Sequence, residues 1–120
     1  MPHLTLEYTK NLADFDASRA LCDLNEALAA TNVFAELDIK SRAIRLDHFA
    51  VGTKPNGRAF VFVKLVISAG RSAETKRTLS NLIVNILQGM VSPKPDLHVQ
   101  VCAEIVEIDG GSYAKLVLGQ

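Results

Sequence analysis

Two runs of strand-like residues, each followed by an amphipathic helix and a further strand, predict an α+β fold built from a duplicated β-α-β unit. The halves span about residues 2–52 and 58–109, with a cluster of turn formers between them and a C-terminal tail after the second. Each half pairs its two strands through a crossover helix, so the expected architecture is one four-stranded mixed sheet with both helices on one face. At 120 residues the chain is expected to be a single domain, 1–120.

The first half opens with Leu4, Leu6 and Tyr8 alternating with Thr5, Glu7 and Thr9, the period of a strand with one buried side, beginning at Pro2. Between Asp14 and Thr31, Ala17, Leu21, Leu24 and Leu28 recur at helical spacing, with Asp14 or Asp16 as N-cap. Strand-like alternation returns from about Ile39 to Val51, and Thr53-Lys54-Pro55-Asn56-Gly57 reverses the chain.

The second half repeats this order. Ala59 to Ile67 is almost wholly apolar and rich in β-branched and aromatic residues, as in a central strand covered on both faces. A helix capped by Ser72 follows, with Leu79, Leu82, Ile83, Ile86, Leu87 and Met90 facing the core and Pro93 and Pro95 ending it. His98 to Ile108 is the fourth strand, and Gly110-Gly111 opens a tail, Ser112 to Gln120, apolar enough to pack on something. With both helices on one side, the other sheet face is left bare. A bare apolar face predicts a homo-oligomer that packs its sheets inward. The same element order also fits a ferredoxin-like sandwich, and only strand order separates the two.

Composition narrows the partners. Thirteen basic residues balance thirteen acidic ones, so no overall field favours nucleic acid or an anionic membrane. No apolar run approaches the ~18 residues a bilayer requires. With 48% hydrophobic residues the chain is too apolar for disorder. Cys22 and Cys102 form no CxxC motif and no disulfide framework, and no signal peptide opens the chain, which predicts a cytoplasmic protein with reduced thiols. His3, His48 and His98 are expected on three different strands without zinc-ligand spacing, so no metal centre is predicted. The glycines form no phosphate-cradling loop, which argues against nucleotide binding.

The chemistry is concentrated in a few basic groups. Excision of Met1 would leave Pro2 at the amino terminus with a free secondary amine. Burial and nearby cations both disfavour the protonated amine and lower its pKa toward neutrality, where it serves as a general base. Gly70 lets the chain bend out of the third strand and delivers Arg71, whose guanidinium can fork onto a carboxylate. Arg42 and Arg45 point to opposite faces of the second strand, whereas Lys40 and Arg42 share one. The first half has the terminal amine without a Gly-Arg, and the second has the Gly-Arg without a terminus, so the halves look complementary.

Met1-Pro2-His3-Leu4-Thr5-Leu6-Glu7-Tyr8-Thr9 resembles the opening of 5-carboxymethyl-2-hydroxymuconate isomerases, within the tautomerase superfamily. Leu28-Ala29-Ala30-Thr31-Asn32-Val33-Phe34, Ile39-Lys40-Ser41-Arg42 and Ala69-Gly70-Arg71-Ser72 carry the resemblance along most of the chain. Gly70 to Lys76 is also similar to a segment of the short 4-oxalocrotonate tautomerases. The resemblance implies a tautomerase-like fold, a homotrimer, and Pro2 as proton carrier in a cofactor-free isomerisation. The substrate it implies is 5-carboxymethyl-2-hydroxymuconate, or a similar unsaturated dicarboxylic enol, in the breakdown of the aromatic compound homoprotocatechuate. Arg71, Arg42 and Lys40 would bind the small-molecule carboxylate substrate and steady its dienolate. Lys40 stands where the family motif has arginine, keeping the charge and losing the bidentate fork. That departure leaves room for a different enol substrate. A non-catalytic ferredoxin-like module that binds a small ligand is the alternative from another class.

Overall fold

A computed structural model describes residues 1–119. Six main elements follow in order: β1 (His3–Thr9), α1 (Ala17–Ala30), β2 (Lys40–Leu46), β3 (Arg58–Ile67), α2 (Ala73–Gln88) and β4 (His98–Glu107), with a short 3-10 turn, Glu36–Asp38, before β2. The strands form one sheet in the order β2-β1-β3-β4. β1 runs parallel to β2 and β3 parallel to β4, while the central pair, β1 and β3, is antiparallel. The two strands of each β-α-β unit are therefore direct neighbours. A ferredoxin-like sheet splits each unit by inserting another strand, so the strand order rules that alternative out.

Both helices cover the same sheet face. Ala20, Leu24 and Leu28 of α1 and Leu79, Ile83 and Leu87 of α2 are buried in one core with Leu4, Leu6, Val61, Val63, Leu65 and Ile67. Fully burying an aliphatic side chain of this size contributes about 1.5–3 kcal/mol, so these two stripes dominate the packing of helices onto sheet. Asp16 caps α1 by accepting from the Arg19 amide, and Ser72 caps α2 by accepting from the Thr75 amide. α2 stops at Gly89, before the prolines assigned to end it.

Several expectations need correction. The second strand ends at Leu46 rather than near Val51, because its partner β1 ends at Thr9, opposite Leu46, and the chain bends at Asp47. His48 consequently lies in that bend and not on a strand. The fourth strand stops at Glu107. β3 is central but covered on one side only within the chain: its Ala59, Val61, Val63, Leu65 and Ile67 are buried, whereas Phe60, Phe62 and Val66 are half-buried and Lys64 is exposed. The uncovered face is not simply apolar. The strand registers place Ile44, Glu7, Phe62 and Cys102 in one row across it, and Arg42, Thr5, Lys64 and Glu104 in the next. The tail does not close onto the core either, since Leu116 and Leu118 are more than four-fifths exposed. Among the described residues no helix is long and apolar enough to cross a membrane.

Candidate active site

The antiparallel central pair decides where the basic groups meet. Because His3 lies opposite Val66, the start of β1 sits beside the end of β3, and the parallel partner β2 begins at the same edge. Pro2, Lys40, Arg42 and Arg71 all belong to this end of the sheet. Pro2 is buried, and its carbonyl accepts a hydrogen bond from the Lys40 amide at 3.1 Å. The Lys40 ammonium bends back to donate to the carbonyl of Asp38. An ammonium at the chain start is disfavoured first by burial and then by Lys40 and Lys115, which together hold its pKa below the ordinary value and outweigh the opposing charge of Asp38.

Arg42 shares the uncovered face with His3, and its Nη2 lies 3.0 Å from the His3 Nδ1. The other ring nitrogen, Nε2, lies 3.0 Å from the Tyr113 hydroxyl. Burial, then Arg42 and Lys40, push the His3 pKa down. Lys115 pairs with Asp38 at 2.8 Å, and that ammonium holds the Asp38 carboxyl below the usual carboxylate range. Arg45 turns away on the opposite face, as its odd spacing from Arg42 requires.

Arg71 is positioned differently. Gly70 has φ +108°, a conformation that favours glycine, and this turn delivers Arg71 just ahead of α2. Its Nη2 donates to the Val33 carbonyl at 2.9 Å, and the guanidinium lies 5.3 Å from the Phe34 ring centroid. Its Nε is buried with no partner among the described residues, a cost of about 1–3 kcal/mol unless an acceptor reaches it. The structure thus brings Pro2, Lys40 and Arg42 into one neighbourhood, and holds Arg71 at the same sheet end against the Val33-Phe34 segment.

His3, Asp38, Tyr113 and Lys115 belong to this neighbourhood; the sequence leaves the role of His3 open, and the other three escape it. Strand alternation would place His3 on the Arg42 face only if the β1/β2 register were known, and nothing in the spacing of the tail signals that it returns to β1. A hollow lined by Leu12, Phe15, Met90 and Leu97 lies at the opposite end of the sheet, away from these cations. Among the described residues no group of three His, Cys, Asp or Glu side chains is placed to hold a metal ion.

Two adjacent β-α-β units on one four-stranded mixed sheet, with a cationic edge at the start of the first strand, define a tautomerase-like fold. The wild-type fused 4-OT W0, a symmetric trimer, shares this fold with a TM-score of 0.66 at 16% identity, over 95% of this chain and 93% of that one. Residues 2–116 match the family described as 5-carboxymethyl-2-hydroxymuconate isomerase, and the chain belongs to that family. The crystal structure of a 5-carboxymethyl-2-hydroxymuconate isomerase from Deinococcus radiodurans R1 is similar with a TM-score of 0.87 and 34% identity, covering 96% of this chain and 88% of that one. The 5-carboxymethyl-2-hydroxymuconate Delta-isomerase of Escherichia coli is 28% identical over 89 residues, 73% of this chain and 71% of the relative.

Proposed function

We propose that this protein is a cofactor-free isomerase of 5-carboxymethyl-2-hydroxymuconate, acting in the cytoplasm in the breakdown of homoprotocatechuate, as one tautomerase-like domain (1–120) assembled into a homotrimer. Pro2, exposed as the amino terminus by loss of Met1, is the base. Its neutral nitrogen takes a proton from the substrate, the electron pair left behind spreads onto the dienolate oxygens, and the same nitrogen returns the proton to another carbon. Lys40 and Arg42 attract the carboxylates and the developing oxyanion, and Arg71 adds a third positive charge at the same sheet end. Proton transfer by a positioned base supplies ~10²- to 10⁴-fold. Charge stabilisation by the cations has to supply much of the rest.

The observation that carries this reading is the meeting of the chain start with Lys40 and Arg42 at one sheet edge, in a chain of this family. The cationic surroundings that disfavour an ammonium on Met1 act on an amine moved one residue inward, onto the buried Pro2. The mixed polar and apolar sheet face supports assembly, and the symmetric trimer formed by a protein of the same fold supports three as the number of chains. The deciding experiment is a steady-state assay on 2-hydroxymuconate-type enols with and without the 5-carboxymethyl arm. Preference for the arm is expected. Equal rates would favour the second reading, a tautomerase of a different enol, which Lys40 in place of arginine supports; no turnover of either would leave a ligand-binding role.

A further inference from the structure

Tyr113 stands beside the proposed active site and takes no part in the proton transfer just described. After β4 the Asp109 carbonyl accepts from both the amide and the hydroxyl of Ser112, each at 3.1 Å, and this turn sends the tail back across the sheet end. Tyr113 then reaches His3 on β1, and Lys115 reaches Asp38 just ahead of β2. The tail therefore crosses from one edge of the sheet to the other over the start of β1.

Hydrogen-bond accounting fixes the direction of each bond. A guanidinium has donors only, so the His3 Nδ1, 3.0 Å from the Arg42 Nη2, is the acceptor. A neutral imidazole accepting at Nδ1 carries its hydrogen on Nε2. Nε2 then donates to the Tyr113 oxygen, which lies 3.0 Å away. The phenol's own hydrogen has no place in that bond, and no acceptor for it is found among the described residues. Tyr113 is 36% exposed, which leaves part of the side chain open to a ligand. Arg42 binds the far nitrogen of the His3 ring, Lys115 follows two residues on and pairs with Asp38, and the ring of His3 meets the tyrosine ring edge-on at 6.0 Å, which sets its orientation.

We propose that Tyr113 is a substrate-contacting residue whose hydroxyl donates a hydrogen bond to a carboxylate of the bound polycarboxylate enol, with His3 as the positioning residue that fixes which way the hydroxyl points. The proposal rests on the isomerase reading and extends it to substrate binding. A contact made equally in ground and transition states raises KM and leaves kcat unchanged when removed. Tyr113→Phe keeps the ring against His3 and deletes only the hydroxyl. KM for the polycarboxylate enol is expected to rise about tenfold or more, as befits a hydrogen bond to a charged group, with kcat within about twofold of the parent. The Kd of adipate, an unreactive dicarboxylate probe, should rise by a similar factor in calorimetry. Unchanged KM and adipate affinity in a parent that turns over the enol overturn the role of Tyr113 and leave the isomerase intact. If the parent turns over no enol, the isomerase reading fails and adipate binding alone judges Tyr113; failure of the parent to bind adipate then overturns it as well. Nitrogen-15 spectra provide a test independent of activity: His3 is expected to carry its hydrogen on Nε2, and a hydrogen on Nδ1 overturns the donor assignment.

Discussion

At the start of β2 the Lys40 amide donates to the Pro2 carbonyl over 3.1 Å, and at the start of β4 the His98 amide donates to the Gly57 carbonyl over 2.9 Å. Pro2 and Gly57 thus occupy corresponding places in the two halves, each one residue ahead of the strand that opens its unit. Gly57 is an internal residue with φ +77°, and a Cβ there would come within 3.2 Å of the Asp96 carbonyl oxygen. The sheet uses both positions in the same way, as a carbonyl that starts a parallel ladder. Only the first position offers a nitrogen that excision can free. The difference separates what the fold requires of this site from what the chemistry requires.

The largest effect is expected where that difference is removed. Pro2→Ala keeps the carbonyl and therefore the Lys40 bond, so circular dichroism and oligomeric state should match the parent. Excision leaves a primary amine on alanine, less firmly placed than the ring nitrogen of proline, so kcat on the enol should fall by at most about 10²- to 10⁴-fold, the contribution of a positioned base. Unchanged kinetics would remove Pro2 from the mechanism and reduce the two halves to equivalents.

The exits from β1 and β3 differ in the opposite sense, because only the second has Gly70-Arg71. Arg71→Ala should cost about 10²- to 10³-fold in kcat, the usual loss when one charge-stabilising donor is removed. In an assembled protein the amine of one chain can be completed by Arg71 of another. Mixing Pro2→Ala with Arg71→Ala chains, unfolded together and refolded, sharpens the comparison: recovered activity shows a site shared between chains, and no recovery at any ratio confines the site to one chain.

The halves also differ in how far they could be read in advance. Both helices and the Ser72 cap were legible, since apolar residues at helical spacing leave few alternatives. At the first helix the sequence offered Asp14 or Asp16, and backbone geometry chose Asp16. β3 was legible as central, but its second face looked covered because Phe60, Phe62 and Val66 interrupt the usual alternation. Phe62 lies in a row with Glu7, Phe60 beside Gln100 and Val66 beside His3, a pattern that emerges only from the cross-strand register. Lys40 and Arg42 could be assigned to one face by counting along a single strand. Their relation to His3 depends on β1 pairing with β2, and their relation to Tyr113 on a tail that crosses the sheet, so neither was available from local pattern. Arg71 was found through Gly70, whose positive φ is a local requirement; its bond to Val33 joins residues 38 apart in sequence and leaves no local trace.

The smallest expected effect concerns pH and again contrasts the two strand starts. His3 follows Pro2 in a cationic corner, and its pKa in the folded protein is depressed from 6.5 by burial first and by Arg42 and Lys40 next. A depressed value means that the unfolded chain binds the extra proton more readily, so this histidine favours the folded state above pH 6.5. That contribution is lost as pH falls from 6.5 through the folded-state pKa. A protonated ring would also present an N–H to the Arg42 guanidinium in place of an acceptor. His3→Gln removes the titrating group at the start of the first unit. Urea unfolding at fixed protein concentration between pH 5 and 7 should show stability falling toward the acid end in the parent and a flatter profile in the variant. Parallel profiles would show that His3 is not held below its ordinary value in the folded protein, and would break the link between the acid response and the first half of the sheet.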